Sequence, residues 1–148
     1  LDRICAGAER ARLPVVATGR ITPFAESIRA KASNLTLLGD VDERFIPALV
    51  RASGCLAVLS KSEGFALPVL EAMRSGRPVV TAAGTVQAKT AIGTAIEVDA
   101  RDADAVSRGL LLAIHASPQH LLMTRAVAED FTWERTADDL VRLWRSLT

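Results

Sequence analysis

The sequence predicts an α/β fold in which helices cover both faces of a parallel β-sheet. Runs typical of strands alternate with runs typical of helices along most of the 148 residues. The strand runs are mostly continuous in apolar residues, which is typical of strands that are buried on both faces. Because a chain of this length forms one domain of ordinary size, we expect residues 1–148 to be a single domain.

Five short apolar runs predict the strands. In chain order they lie at 13–19, 34–38, 56–59, 79–81 and 94–98. The first is expected to be a buried strand stopped by Gly19, and the second is stopped by Gly39. Ligands of such sheets bind at the carboxyl ends of the strands. That rule selects the loops after Thr18, Leu38, Leu59 and Thr81.

Seven runs before, between and after these strands predict helices. In chain order they lie at 1–12, 22–33, 43–52, 67–75, from 99 or 102 to 116, 118–130, and from 132 onward. Ile4, Ala8 and Ala11 show helical spacing in the first, Thr22 is a suitable N-cap for the second, and Gly76 is expected to end the fourth. The run 82–93 has no clear period and is predicted to be a loop with room for one helical turn.

Composition excludes several classes of function. The net charge is +1, and the basic residues are spread along the chain, so we expect no nucleic-acid partner. No uncharged run approaches the roughly 18 residues of a membrane span. Cys5 and Cys55 belong to no C-x-x-C or metal-spaced cluster and fit a reducing compartment. We therefore expect a cytoplasmic protein without a bound metal.

Two glutamates that are eight positions apart, Glu63 and Glu71, are the most informative pair of residues. Glu63 is expected on the loop after the third strand and Glu71 about one turn into the next helix. Between them, Gly64 would give backbone freedom and Pro68 suits a first helical turn. Free N–H groups at such a helix start attract an anion, and carboxylates beside it would accept hydrogen bonds from vicinal hydroxyls. A nucleotide sugar has both kinds of group.

Simpler interpretations of the same residues remain open. Glu71 could be an exposed helix residue without a ligand, although it lies in an otherwise apolar and small-residue stretch. Glu63 could be an ordinary loop carboxylate, and Ser60 could be plain loop polarity. Gly19-Arg20 follows a strand and could bind phosphate, but the signal is weak because no G-x-G-x-x-G pattern surrounds it.

The segment 60–80 resembles the Glu-x7-Glu signature of retaining GT-B glycosyltransferases, the large family that contains bacterial mannosyl- and glucosyltransferases. It reads Ser60-x-x-Glu63-Gly-Phe-Ala-Leu-Pro-Val-Leu-Glu71 and continues to Val80. Leu38-Gly-Asp-Val41 resembles the segment that holds the nucleotide base, and Phe131-Thr-Trp-Glu resembles a C-terminal stretch of the family. The resemblance implies a Rossmann-like domain, the C-terminal, donor-binding half of a GT-B fold.

The resemblance also implies roles for individual residues. Glu63 corresponds to the catalytic-site glutamate that faces the transferred sugar, and Glu71 to the one that binds the ribose hydroxyls of the donor. The other donor-binding positions are Ser60, Gly64, Phe65, Ala66, Leu67, Asp40 and Val41. Asp40 and Val41 match the base-contacting turn, whereas backbone N–H groups at 65–67 match those that meet the sugar and diphosphate. No metal and no cofactor other than the nucleotide-sugar substrate is implied.

Three departures from the family pattern limit these expectations. From the resemblance, we expect residues 1–148 to lack the first strand of the donor domain and, with it, the Arg and Lys that grip the diphosphate in the family. Ala66 replaces a usual glycine, a mild change if its φ is negative. The segment Gly84-Thr-Val-Gln-Ala-Lys89 has no acid where the family usually has one, which puts donor-sugar selection by this loop in doubt.

The resulting prediction is the donor-binding domain of a retaining glycosyltransferase that moves a hexose from a nucleoside diphosphate sugar to an acceptor. Residues 1–148 by themselves are expected to have little or no transferase activity. The acceptor would bind to an N-terminal domain outside these residues, and any peripheral membrane contact would be made by the parent protein. An alternative is a catalytically inactive GT-B-like domain that serves as a scaffold or partner-binding module. A sugar phosphorylase or a nucleotide-sugar epimerase is a third, weaker option.

Overall fold

The computed structural model describes residues 1–147. The strands are β1 (Val15–Ala17), β2 (Leu35–Leu37), β3 (Leu56–Val58), β4 (Val79–Ala82) and β5 (Ile96–Val98). The helices are α1 (Asp2–Arg10), α2 (Pro23–Arg29), α3 (Ile46–Ala52), α4 (Leu67–Arg74), α5 (Val86–Thr90), α6 (Ala103–Ile114), α7 (Pro118–Glu129) and α8 (Trp133–Leu147). A 3₁₀ turn at Glu43–Phe45 precedes α3. Each predicted strand and helix is present, and α5 is the helical turn for which the predicted loop 82–93 leaves room.

All strand pairs are parallel, as predicted, but they form two sheets. β1 pairs with β2, with Val15 opposite Leu35. The second sheet has the order β3-β4-β5, and Leu56 lies opposite Val79 in its first pair. Residues of β1 and β3 line one cavity, so the break between the sheets lies between these two strands.

Helices pack on both faces of the second sheet, which confirms the predicted layering. Val80 of β4 packs with α1 and α6, in a cluster that also contains Ala57 of β3. Val79 packs in the opposite cluster with α4 and α7 and with Ala91, which directly follows α5; Leu56 of β3 packs against the same cluster. Neighbouring strand residues point to opposite faces, so both faces must be apolar and the strands read as continuous apolar runs.

β1 is less buried than the sequence predicts. A third cluster, which includes Cys5, Ile28 and Leu35, covers one face of the first sheet. On β1, however, Val16 is 52% exposed. The prediction of a buried strand is wrong here because β1 is an edge strand, paired only with β2.

The helix ends follow their local sequence. The Thr22 hydroxyl accepts a hydrogen bond from the Ala25 N–H at 3.1 Å and caps α2, as predicted. Pro47 lies in the first turn of α3, directly after the 3₁₀ turn. Proline suits this position because it has no N–H group, and the first N–H groups of a helix have no carbonyl partner within the helix. Gly76 ends α4 with φ +69°, and its N–H donates to the Met73 carbonyl at 3.0 Å.

Candidate functional site

The predicted site residues lie on loops at the carboxyl ends of two strands. The loop after β2 has Asp40 and Val41, and the loop between β3 and α4 has Ser60 and Glu63. Because the strands within each sheet are parallel, each loop lies at the carboxyl edge of its own sheet. They follow strands of different sheets, however, with the break between β1 and β3 separating them.

A chain of hydrogen bonds holds Glu63 in the loop after β3. The Ser60 hydroxyl donates to Glu63 Oε1 at 2.8 Å. The side-chain amide of Gln87 donates to the same hydroxyl at 2.6 Å and to the Ser60 carbonyl at 3.2 Å. Gln87 is completely buried on α5, while Glu63 is exposed. The exposed carboxylate is thus oriented from within the core of the protein.

Gln87 was not among the residues predicted for the site. Its helix is difficult to recognise because its buried residues, Gln87, Ala88 and Thr90, are polar or small. With the buried cap residue Ala91, Gln87 and Thr90 have the spacing i, i+3 and i+4, a helical pattern that hydrophobicity alone does not show. A search for small and polar residues at helical spacing could have found this helix.

Backbone geometry at the start of α4 differs from the prediction in one respect. Gly64 has no positive φ, and a side chain there would meet no atom within 4 Å, so its expected role in backbone freedom is wrong. The left-handed conformation belongs to Ala66, with φ +64° and ψ +52°. The replacement of glycine at this position is therefore not the mild change expected for a negative φ, because the Ala66 methyl group is strained there.

Phe65 is supported from two sides. The Thr90 hydroxyl of α5 donates to the Phe65 carbonyl at 3.0 Å. The Phe131 ring packs edge-on against the Phe65 ring, with 5.8 Å between their centroids. These contacts join α5 and the segment after α7 to the loop that precedes α4. They hold the carbonyl and the ring of Phe65 without using its N–H group.

Glu71 projects from the outer side of α4. Its helix neighbours Leu70 and Ala72 are buried, whereas Glu71 is exposed. Within residues 1–147, its carboxylate has no hydrogen bond and no ion pair. A position on the exposed side of the helix is enough to explain a charged residue within an apolar run. The interpretation of Glu71 as an exposed helix residue without a ligand therefore stays open. The carboxylate oxygens are nevertheless available to accept hydrogen bonds.

The loops after β1 and β2 are tied to each other. The Gly19 N–H donates to the Gly39 carbonyl at 2.9 Å. Asp40 is exposed and Val41 is half-buried, so the turn presents a carboxylate beside a partly covered apolar side chain. Arg20 is also exposed on the loop after β1. This bond places the turn that contains Asp40 and Val41 next to the loop that contains Arg20.

Basic side chains surround a separate cleft at the same edge. The cleft has a volume of about 820 Å³ and lies at the ends of β3, β4 and β5. Its basic residues are Arg3, Lys61 and Arg101, and Ser60 is the one predicted site residue that lines it. Arg101 also lies 3.3 Å from Asp99, and hydrogen bonds from its backbone and side chain lower the pKa of that carboxyl group. The cleft is therefore mixed in charge.

Two absences apply to the described part of the chain. Residues 1–147 contain no cluster of three or more His, Cys, Asp or Glu side chains that could hold a metal ion. No helix in the same range is long and apolar enough to cross a membrane.

Sequence comparison identifies relatives of the chain. Residues 2–115 match the family model for glycosyl transferases group 1. The D-inositol 3-phosphate glycosyltransferase of Salinispora tropica is 35% identical over 104 residues, which cover 67% of this chain and 22% of that protein. The chain spans only 22% to 30% of the length of the curated relatives it matches.

Solved structures agree with this assignment. Sucrose-phosphate synthase from Thermosynechococcus elongatus superimposes with a TM-score of 0.77 at 25% identity, over 99% of this chain and 42% of that protein. HepE from Anabaena, solved in complex with UDP and glucose, superimposes with a TM-score of 0.73 at 16% identity, over 97% of this chain and 44% of that protein. The parallel sheets and their covering helices match those of GT-B glycosyltransferases. The chain belongs to the group 1 glycosyl transferases.

Proposed function

We propose that residues 1–148 are the donor-binding, C-terminal domain of a retaining GT-B hexosyltransferase that uses a nucleoside diphosphate sugar. The observation that carries this proposal is the buried support of Glu63 by Gln87 through Ser60, directly before the start of α4. A surface carboxylate without a function would not need a buried amide to orient it. The fixed carboxylate would accept hydrogen bonds from hydroxyls of the transferred sugar.

The second carboxylate would bind another part of the donor. Glu71 is exposed and has no hydrogen-bond or ion-pair partner within residues 1–147, so its two oxygens are free to accept from the 2′- and 3′-hydroxyls of a ribose. Asp40 and Val41, on the loop after β2, would contact the base. Ser60, Gly64, Phe65, Ala66 and Leu67 would complete the donor site.

The start of α4 would stabilise the leaving diphosphate. α4 begins at Leu67, and the positive end of its dipole points toward the loop that contains Glu63. The resemblance implies a reaction without a metal ion, in which such fixed donors and cationic side chains stabilise the developing charge. The carboxylates would position the donor and stabilise positive charge at the anomeric carbon.

We expect this domain to transfer little or no sugar by itself. Its acceptor would be held by a partner domain of the parent protein, and the curated relatives have the additional length that such a domain needs. The proposed partners are thus a nucleotide sugar and an N-terminal acceptor domain, with peripheral membrane contact only through the parent. We place the protein in the cytoplasm, and no cofactor is needed in this scheme.

The scaffold alternative has one observation in its favour. The strand expected to bring a diphosphate-binding Arg and Lys is not among the described elements, and the sheet is interrupted at that place. A donor-binding function without those cations would be weak. This alternative keeps the fold and assigns it to binding another protein.

Turnover by the full-length parent separates the two functions. We expect Glu71→Ala to raise the KM for the donor, because the ribose loses two hydrogen-bond acceptors. Glu9→Ala, which changes an exposed glutamate on α1, is the matched control and should leave the KM unchanged. Unchanged turnover and KM in Glu71→Ala would favour the scaffold. Retention is tested separately, from the anomeric configuration of the product by NMR.

A further inference from the structure

Helix α5 contacts the loop before α4 at two separate points. The Gln87 side chain donates to Ser60, at the beginning of this loop. Thr90 lies one turn further along α5, is buried, and donates from its hydroxyl to the Phe65 carbonyl at 3.0 Å. The second contact therefore acts on the part of the loop that leads directly into α4.

The Phe65 carbonyl and the Ala66 N–H group belong to one planar peptide unit. Residues 1–147 contain no cis peptide bond, so this unit is trans and its C=O and N–H groups point in opposite directions. Thr90 meets the carbonyl from the side of α5, so the Ala66 N–H is directed away from α5. The hydrogen bond from Thr90 thus sets the direction of an N–H group that Thr90 does not touch.

Two N–H groups at the start of α4 have no hydrogen-bond partner within residues 1–147. Pro68 has no N–H, and Val69 donates to the Ala66 carbonyl at 2.9 Å, which leaves the N–H groups of Ala66 and Leu67. No side chain caps this end of the helix. Ala66 is only 7% exposed, and an unpaired N–H group at a buried residue costs free energy unless a bound molecule accepts from it. An anionic oxygen is the acceptor that a helix start favours.

The conformation of Ala66 needs support from its surroundings. Its φ of +64° is strained for a residue with a methyl group, and such a conformation persists only where the surrounding structure holds it. The hydrogen bond from Thr90 restrains the preceding carbonyl, and the Phe131 ring restrains the Phe65 ring. Without the first of these contacts, the peptide unit between Phe65 and Ala66 is free to rotate and to turn the Ala66 N–H away from a ligand.

We propose that Thr90 is a positioning residue for the diphosphate of the donor. Its hydroxyl holds the peptide unit between Phe65 and Ala66 so that the Ala66 N–H, together with that of Leu67, donates to diphosphate oxygens. This inference rests on the proposed function, because it takes a nucleoside diphosphate sugar as the ligand. Gln87 acts on the sugar through Ser60 and Glu63, so α5 positions the two parts of the site through separate side chains.

Thr90→Val in the natural parent protein tests the inference, because valine has nearly the same shape and lacks the hydroxyl. We expect the Kd for the nucleoside diphosphate to rise about five- to ten-fold, the equivalent of roughly one hydrogen bond. The Kd for the nucleoside with the same base, which has no phosphate, should stay unchanged. Thr90→Ser keeps the hydroxyl and should bind the diphosphate as the unmodified protein does. NMR titration measures these values up to the millimolar range.

Thr124→Val is the matched control. Thr124 is fully buried on α7, and its hydroxyl has no hydrogen-bond partner in residues 1–147, so both Kd values should stay unchanged. An unchanged Kd for the diphosphate in Thr90→Val, or an equal loss for nucleoside and diphosphate, would overturn the inference and leave the proposed function standing. If the unmodified protein binds no nucleotide, the proposed function fails and the inference fails with it.

The unmodified parent protein gives a second measurement that needs no substitution. The nucleoside diphosphate should shift the amide resonances of Ala66 and Leu67, because their N–H groups gain an anionic acceptor, whereas the nucleoside should shift them much less. Amide resonances of Ala66 and Leu67 that do not move when the diphosphate is bound would also overturn the inference.

Discussion

The side-chain amide of Gln87 donates a hydrogen bond at 2.6 Å to the hydroxyl of Ser60, which itself donates to Glu63. The buried end of this chain lies on α5 and the exposed end on the loop before α4. A short helix that sequence periodicity did not reveal thus determines where a carboxylate of the candidate site points.

Gln87→Leu should weaken binding of the sugar part of the donor. The substitution removes the amide that fixes Ser60, so Glu63 is no longer held in one position. We expect the Kd for a nucleotide sugar to rise about five- to ten-fold, the equivalent of roughly one hydrogen bond, and the Kd for the nucleotide alone to stay unchanged. Calorimetric titration measures both.

Gln119→Leu, on the exposed surface of α7, is the control for this experiment. The stability of Gln87→Leu should change little, because two effects oppose each other. The substitution removes the hydrogen bonds that the amide donates, but it also removes a buried carbonyl oxygen that has no hydrogen-bond partner in residues 1–147. An equal loss of affinity for nucleotide and nucleotide sugar would contradict the assignment of Glu63 to the sugar.

Ala66→Gly should stabilise the domain. Ala66 has φ +64°, and glycine adopts this conformation without the steric cost that a methyl group adds, about 1 kcal/mol or more. Two effects oppose this gain: the Ala66 methyl group is buried in the core and is lost, and the unfolded glycine has a larger entropy. Urea unfolding should therefore show a net increase of less than about 1 kcal/mol in the free energy of unfolding.

The reverse change at Gly64 is the control. Its φ is not positive and a methyl group would meet no neighbour, so Gly64→Ala should not destabilise the domain. A loss of stability in Ala66→Gly, or a loss in Gly64→Ala, would mean that the backbone of this loop differs from the structure.

Gly7→Ala should destabilise the contact between α1 and α6. A methyl group at Gly7 would lie 2.7 Å from Val106 Cβ and 3.1 Å from the Ser107 backbone nitrogen. Such overpacking usually costs about 1–3 kcal/mol, so the midpoint of urea unfolding should fall. Glu9→Ala, on the exposed side of the same helix, should leave it nearly unchanged.

Stability should decrease at high pH because of Cys55. Burial raises the pKa of the Cys55 thiol from 9.0 to about 11. The folded state therefore holds this proton more tightly than the unfolded state, and its stabilising effect is complete below pH 9. It is lost as the pH rises from 9 to 11, by up to about 2–3 kcal/mol.

Urea unfolding at pH 8 and pH 10.5 measures this effect. The chain has no tyrosine, so the range is not complicated by phenol titration. Cys55→Ala should show a clearly smaller decrease than the unmodified protein. An identical decrease in the two proteins would assign the pH dependence to other groups.

The sequence predicts the fold through a few strong signals. Continuous apolar runs, such as the one that contains Val79 and Val80, indicate strands buried on both faces, and the structure confirms parallel pairing with helices on both sides. Thr22 and Gly76 mark helix ends by chemistry that acts within one turn, and both predictions are confirmed. Such local signals do not depend on the rest of the molecule.

The failures come from features that depend on tertiary context. The exposure of Val16 follows from the break in the sheet, which strand composition cannot show. The positive φ belongs to Ala66 rather than to Gly64, because the path into α4 determines the backbone there. Gln87 is buried because other elements of the fold pack around it. The sequence alone indicates neither this burial nor the hydrogen bonds of its side chain to Ser60.

The central claim, that this domain binds a nucleotide-sugar donor through its glutamates, is tested most directly by calorimetric titration of residues 1–148. The titrants are UDP, GDP and ADP, alone and as sugar conjugates. We expect detectable binding of the nucleotide and the nucleotide sugar that contain one of the three bases. Glu71→Gln should weaken that binding about ten-fold, because a charged hydrogen-bond acceptor is lost. Glu9→Gln should leave the binding unchanged. No detectable binding of any of the six at millimolar concentration, or equal binding by Glu71→Gln, would contradict the claim.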